Sequence, residues 1–415
     1  MKKITITNAY TWYNKGDAGI LLGIVETLKK MYDNQVEFTI LSFTPEEDRK
    51  RYCKDKSIKA VYSNILNPHP YKHTKLGKII AICKLFFKLI KTQTMLFLNF
   101  EKYVDKDETL KSLKESDIII VCGGGFLGGK KFDSLEHLYQ IFINTKFGKP
   151  VYLMGTSIEP IHNKIIKYYT EKVLKKLDYI YARETITEKY LKEFMPENKY
   201  TLIPDMAFML ENEKIEFPFL KELKKERKML IGITVRNWNF PNVTNKEQAK
   251  ENYINQMKDF MEFFIEKENA TFIFIPQVIV SYASDTDIAI KIKNKMKQIN
   301  QKSFIIRNDD WSPLEIKTLI GNLDYFVGTR MHSNIFATSM YIPTLAVAYE
   351  KKTNGIMETV GQNKYVEEID TINSKSMQRK FYDLIKNKET IQEELNNARK
   401  KITNEILNKT KKIFK

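Results

Sequence analysis

Gly328-Thr329-Arg330-Met331-His332-Ser333-Asn334 joins an apolar run, Leu323–Val327, to a helix-like run, Ile335–Met340, and then to a second apolar run, Ile342–Ala348. The order reads strand, tight loop, helix, strand. It puts an arginine and a histidine where a strand ends and a helix begins, the edge at which open α/β sheets bind ligands. A helix N-terminus adds free N–H groups and partial positive charge. Arg330 offers a planar fork suited to phosphate or carboxylate. His332 is the side chain best suited to moving a proton near neutral pH. The chemistry expected is proton transfer on a small, strongly anionic substrate.

Other candidates sit at equivalent strand ends. Ile231–Arg236 ends in Arg236, a fair anion ligand, and Lys352 follows the strand Thr344–Ala348 at the same edge as Arg330, where a solvated charge pair is the plainer reading. The first turn holds Asn14, Gly16 and Asp17: Asn14 and Gly16 suit a turn, and Asp17 either caps the next helix or orients an acceptor hydroxyl. Gly123, Gly124 and Gly125 follow the strand Asp117–Val121. The wider Gly123–Gly128 stretch formally contains G-x-G-x-x-G, but it is not on the first strand and no ribose-binding acid ends the next one. A turn or a close backbone approach to a ligand explains these glycines better. Arg183 reaches into the cleft or pairs with Glu184 or a surface acid, and Asp205 follows Thr201–Ile203 as a further candidate. His69, His73, His137 and His162 lack partners at metal spacing and read as surface or packing residues.

The elements that position these residues alternate. Strand-like runs at Ile4–Asn8, Val36–Ser42, Ile118–Cys122, Val151–Gly155, Tyr179–Ala182 and Thr201–Ile203 form one array. Runs at Met229–Arg236, Thr271–Gln277, Ser303–Arg307, Tyr325–Val327 and Thr344–Tyr349 form another, after the charged stretch Glu211–Lys228 with its Pro218. Two such arrays predict an α/β protein of two doubly wound Rossmann-like domains facing a cleft. Residues 1–215 are expected to form the first and 216–373 the second, with 374–415 a lysine-rich helical tail. The stretch 75–100 stands apart. It places Lys84, Lys88 and Lys91 on one helix face among Ile, Leu and Phe, which suits either a helix packed on the sheet or one lying in a membrane interface.

Length and composition agree with two globular domains: 415 residues exceed what one core usually supports, and 43% are hydrophobic. With 68 Lys and Arg against 51 Asp and Glu, the net charge of +17 fits an anionic substrate, a membrane surface or a lysine-rich bias. No nucleic-acid module is visible and no aromatics interleave with the basic patches, so no nucleic-acid partner is expected. Cys53, Cys83 and Cys122 have no metal spacing and fit a reducing compartment. The N-terminus reads as a strand rather than a signal peptide, and no apolar run is long enough to span a bilayer. A cytoplasmic location is expected. There is no H-E-x-x-H, G-x-S-x-G, P-loop or C-x-x-C, so zinc-protease, serine-hydrolase and P-loop readings have no support.

Taken in order, Asn14-x-Gly16-Asp17, Gly123–Gly125, Gly155-Thr156-Ser157, Ala182-Arg183-Glu184, Pro204-Asp205, Val235-Arg236, Gly328–His332 and Tyr349-x-x-Lys352 resemble the polysaccharide pyruvyltransferase family. The resemblance implies a glycosyltransferase-B-like fold. It also implies transfer of pyruvyl from phosphoenolpyruvate to a sugar of a surface polysaccharide or its lipid-linked precursor, forming a ketal. By the same resemblance Arg330, Met331 and His332 belong to the donor site, joined by Arg236 and Arg183. His332 would act as general acid/base, and Lys352 and Asp17 would be further catalytic candidates. Asn14, Gly16 and the glycine loop would lie on the acceptor side, in the first domain. The scheme calls for no metal and no cofactor beyond the donor. A nucleotide-sugar glycosyltransferase of the same architecture is the alternative.

Overall fold

Ile118-Ile119-Ile120-Val121-Cys122 is buried at every position, and so are Ala270–Phe274, Tyr325–Gly328 and Thr344–Ala348. A strand without an exposed face needs cover on both sides, which is the condition of a parallel sheet flanked by helices. The computed structural model describes residues 1–414 apart from 67–74, 99, 129–133, 227 and 280–284. It contains two such sheets.

The first is built from β1 (Lys2–Ala9), β2 (Val36–Ser42), β3 (Ile58–Ser63), β4 (Ile118–Cys122), β5 (Val151–Thr156), β6 (Tyr179–Ala182) and β7 (Tyr200–Leu202), in the order β3-β2-β1-β4-β5-β6-β7. The second uses β8 (Met229–Thr234), β9 (Ala270–Phe274), β10 (Phe304–Ile306), β11 (Tyr325–Gly328), β12 (Thr344–Ala348) and β13 (Val366–Glu368), in the order β10-β9-β8-β11-β12-β13. Every pairing is parallel. Each sheet grows outward from its first strand, then returns to that strand's other side. The reversal lies between β1 and β4 in the first sheet and between β8 and β11 in the second. Such a switch point opens a crevice beyond the carboxyl ends of the two strands. In the second sheet Thr234 faces Gly328 in register, so the residues after both lie at one crevice.

β3 and β13 were not anticipated. Both are edge strands with polar residues, Ile58-Lys59-Ala60-Val61-Tyr62-Ser63 and Val366-Glu367-Glu368. Half-solvated edges lack the apolar-rich run that marks most of the inner strands.

The chain divides into two compact units: Met1–Trp12, Ile20–Met206 and Ile406–Lys415 form one, and Tyr13–Gly19 with Ala207–Glu405 forms the other. This differs from the sequence expectation in three places. The boundary falls after Met206, because the stretch beyond it is already tied to the second unit: Lys317 Nζ donates to Leu210 O, and Glu213 N to Thr318 Oγ1 at 3.2 Å. The first turn, Tyr13–Gly19, belongs with the second unit, since Lys15 N donates to Gln277 O and Ile279 N to Tyr13 O. The tail is not a separate body. Phe381 is fully buried against Phe260, Phe264 and Tyr325, a burial worth about 1.5–3 kcal/mol. The last residues return to the first unit, where Phe414 stacks on Tyr152 at 4.3 Å and Lys409 Nζ donates to Leu202 O.

One buried carboxyl gives the first unit a pH signature. Asp48 is fully buried and accepts from Ser42 Oγ and from Trp12 N at 3.0 Å. Burial outweighs these bonds and pushes its pKa up to about 6. A raised carboxyl pKa means that folding takes up a proton between the unfolded value and about 6, so stability falls as pH rises through that window. Asp48→Asn, which stays neutral, is expected to gain about 2–3 kcal/mol relative to wild type between pH 4 and pH 7. Urea unfolding at both pH values measures the difference; a constant difference rules the assignment out.

Candidate active site

β8 and β11 end side by side, and their ends are knitted together before any functional group appears. Thr234 Oγ1 accepts from Thr329 N at 2.9 Å and from Arg330 N at 3.3 Å, and shares a hydrogen bond with Ser333 Oγ at 3.0 Å. Ser333 Oγ returns to Arg330 O at 2.6 Å. The buried Tyr253 hydroxyl accepts from Arg236 N and lies 3.5 Å from Thr329 Oγ1. These bonds hold Arg330 and the start of the helix Met331–Ser339 in place. That helix has Arg330 at its N-cap and no side chain capping its first turn.

Arg330 grips Asp285 through two bonds, Nε to Oδ2 at 2.9 Å and Nη2 to Oδ1 at 2.6 Å. Asp285 is 1% exposed and Arg330 17%. Burial pushes the Asp285 carboxyl up, while Arg330 and then Arg236 pull it back. Sequence reading missed Asp285, because an aspartate before Thr286–Lys295 looks like a helix cap. It stands at the N-cap but makes no capping bond; its carboxylate is turned to Arg330 instead. Two of the nitrogens expected to hold an anion are thus already engaged.

Arg236 is placed differently. Its guanidinium carbon lies 3.9 Å from the centre of the Tyr349 ring and 4.8 Å from that of Trp238. The two rings are themselves 4.9 Å apart. Among the described residues the guanidinium has no hydrogen-bond acceptor, and neither does the buried Trp238 Nε1. Burial pulls the Arg236 pKa down, with Arg330 adding to the effect, yet a guanidinium stays charged. The two rings, tilted to each other by 51°, hold it through cation–π attraction and leave its N–H groups available.

His332 meets the first turn. A Cβ built on Gly16 would lie 2.2 Å from His332 Nδ1 and 2.7 Å from Cγ, so only glycine lets the imidazole sit against this backbone. Asn14 Nδ2 donates to Asp17 Oδ2 at 2.6 Å, within the first turn of the helix Lys15–Met31. Lys15, also missed by sequence reading, is fully buried and paired with Asp310 at 2.6 Å. A lysine between a turn residue and a glycine carries no signal of burial. Asn14, Gly16 and Asp17 thus join Arg330, Met331, His332 and Arg236 in one unit, rather than in the first domain as expected. Met331 is buried packing at the helix start, and Lys352 is half-buried in the first turn of Lys351–Thr359.

The remaining candidates lie in the first unit. Arg183 is taken up there by Asp205, Nη1 to Oδ2 at 2.7 Å, and by Ser157 Oγ, at 3.0 Å from Nε and 2.6 Å from Nη2. The acid that Arg183 meets is the buried Asp205 rather than Glu184 or a surface acid. Gly123 is required by β5: a Cβ there would be 2.1 Å from Met154 O. Gly124 O accepts from Ser157 N at 3.0 Å, and Gly125 follows in the same loop. His137 is packed, 4.1 Å from Phe126 and 3.1 Å from Asn8 Nδ2. His69 and His73 lie outside the described residues.

A family model for polysaccharide pyruvyl transferase matches residues 14–351. The chain belongs to the polysaccharide pyruvyl transferase family. It is therefore a transferase of polysaccharide biosynthesis. It is 24% identical over 419 residues, 95% of each chain, to the amylovoran biosynthesis protein AmsJ of Erwinia amylovora. Its fold is like that of a trehalose-6-phosphate synthase (TM-score 0.61, 11% identity, covering 100% of this chain and 98% of that one). It is also like that of a UDP-N-acetylglucosamine 2-epimerase from Listeria monocytogenes (TM-score 0.57, 12% identity, covering 97% and 94%). The two Rossmann-like units are glycosyltransferase-B-like.

Two substitutions test this geometry. Asp285→Asn leaves Arg330 without its counter-charge and is expected to cost about 2–3 kcal/mol, below a fully buried pair because Arg330 keeps some solvent; denaturant unfolding reads the loss. Gly16→Ala is expected to displace His332 and cost about 1–3 kcal/mol. An unmoved His332 imidazole resonance, with an unchanged unfolding midpoint, would show that the two residues do not touch.

Proposed function

We propose that the second unit binds phosphoenolpyruvate and that the enzyme transfers its pyruvyl group to two hydroxyls of a sugar, forming a ketal. The observation that supports this reading most is Arg236. It is a guanidinium held over two rings and without an acceptor among the described residues, beside Trp238 Nε1, a second donor with none among them, at the same strand ends as His332. Phosphoenolpyruvate carries a phosphate and a carboxylate close together, and planar N–H pairs suit both. Arg330, held by Asp285, adds positive charge, and the start of the helix Met331–Ser339 adds its N–H groups.

In the proposed reaction His332 delivers a proton to the enol methylene as general acid. The adjacent carbon, now electron-poor, accepts one sugar hydroxyl. Phosphate leaves with its bonding electrons, stabilised by Arg236 and the helix start. The second hydroxyl closes the ketal. One hydroxyl proton ends on the departing phosphate and the other restores His332, so donor and diol yield ketal and inorganic phosphate. No metal is needed in this scheme. Asp17 and Lys352 are candidates for handling the hydroxyl protons, and the acceptor is a sugar of a polysaccharide or its lipid-linked precursor.

Calorimetric titration of phosphoenolpyruvate tests the donor site. Wild type is expected to bind it, Arg236→Ala to lose about 10–100-fold in affinity, and His332→Gln to bind with turnover abolished. Binding of uridine diphosphate with none of phosphoenolpyruvate would overturn the reading and move the site to glycosyl transfer.

A further inference from the structure

The helix Lys75–Leu98 exposes what a soluble helix normally hides. Phe86 is 64% and Phe87 71% exposed, with Ile80 and Ile90 also open to solvent. Its inward side is fixed elsewhere. Thr92 is buried and marks that side; the exposed Gln93 at its border touches Ser134–Asn144 of the first unit, its Nε2 donating to Tyr139 OH at 3.3 Å. Ile80, Cys83, Phe87 and Ile90 follow one another at spacings of three and four residues, which align them in a single stripe. Phe86, four residues before Ile90, widens it. Lys84, Lys88 and Lys91 have the same spacing and form an exposed row directly beside the stripe.

The charge on this helix has one sign. From Lys75 to Leu98 there are lysines and no aspartate or glutamate. That decides between occupants. A second copy meeting this face across a two-fold axis would bring the lysine rows of both chains together. A convex helix offers a peptide no groove. An anionic lipid surface satisfies both parts: acyl chains take the aromatic and aliphatic stripe, and headgroup phosphates take the lysines, whose long stems reach outward. No described helix is long and apolar enough to cross a membrane, so the contact is in the plane of the interface.

We propose that Lys75–Leu98 docks the protein on an anionic membrane surface, with Ile80, Phe86, Phe87 and Ile90 entering the interface and Lys84, Lys88 and Lys91 at the headgroups. This goes beyond the proposed reaction and does not depend on it. A lipid-bound acceptor would then be met by an enzyme already on the same surface.

Vesicle flotation of the full chain tests the proposal. Phosphatidylcholine vesicles are compared with vesicles containing about a third phosphatidylglycerol. Two variants are run beside wild type: Lys84→Gln with Lys88→Gln and Lys91→Gln, and Phe86→Gln with Phe87→Gln. All five positions are exposed, so unfolding midpoints are expected to stay at the wild-type value. Wild type is expected to float with the anionic vesicles only. The lysine variant is expected to bind roughly 100-fold more weakly, and the phenylalanine variant at least about 10-fold more weakly. Absence of wild-type binding, equal binding to neutral vesicles, or unchanged binding by either variant overturns the proposal. So does a wild-type dimer in sedimentation that the phenylalanine variant loses, since the stripe would then be covered by a second copy.

Discussion

The Arg330–Asp285 pair is the constraint on which the second unit's site depends. A guanidinium at the end of a buried strand must be neutralised or solvated. Asp285 neutralises it through two bonds and is itself nearly excluded from solvent. Once Arg330 is fixed, the first residues of the helix after β11 are fixed, and with them His332. The same pair separates two arginines that look equivalent in the sequence: Arg330 is held by Asp285, and Arg236, over the Trp238 and Tyr349 rings, has no acceptor among the described residues.

The first turn of the chain completes this arrangement. Gly16 has no side chain, so the imidazole of His332 can approach its backbone. Lys15, one residue earlier, is buried and held by Asp310, and its N–H is held by Gln277 O. A segment that follows β1 in sequence therefore serves the sheet of the other unit. In the first unit the comparable polar groups turn inward. Arg183, Asp205 and Ser157 bond to one another, and Gly123 after β4 has no room for a Cβ because β5 passes so close. Arg183, expected at the donor, is held in the first unit by Asp205 and Ser157.

Much was legible from residues alone. Apolar-rich runs marked most strands of both sheets, since a strand buried on both faces carries few polar residues; β1 keeps Thr5 and Thr7 buried among its isoleucines. The ordered motifs pointed to the family, and the placement of Arg236, Arg330 and His332 at strand ends followed from the strand-loop-helix pattern. The polar edge strands β3 and β13 escaped notice, as did every partner brought from a distance in sequence. Asp285 and Arg330 are separated by 45 positions, and Lys15 and Asp310 by 295. No local pattern records such a meeting.

The division has a physical basis. Sequence by itself determined what depends on periodicity and composition: two arrays of parallel strands, the strand ends where chemistry collects, and a lysine-only helix rich in phenylalanine. These properties are local because side-chain direction repeats every two or 3.6 residues. Only the tertiary structure decided which charges are satisfied and which remain open. Pairing Arg330 with Asp285, Arg183 with Asp205 and Gly16 with His332 requires the chain to bring remote segments within a few ångströms, and burial then makes each pairing obligatory.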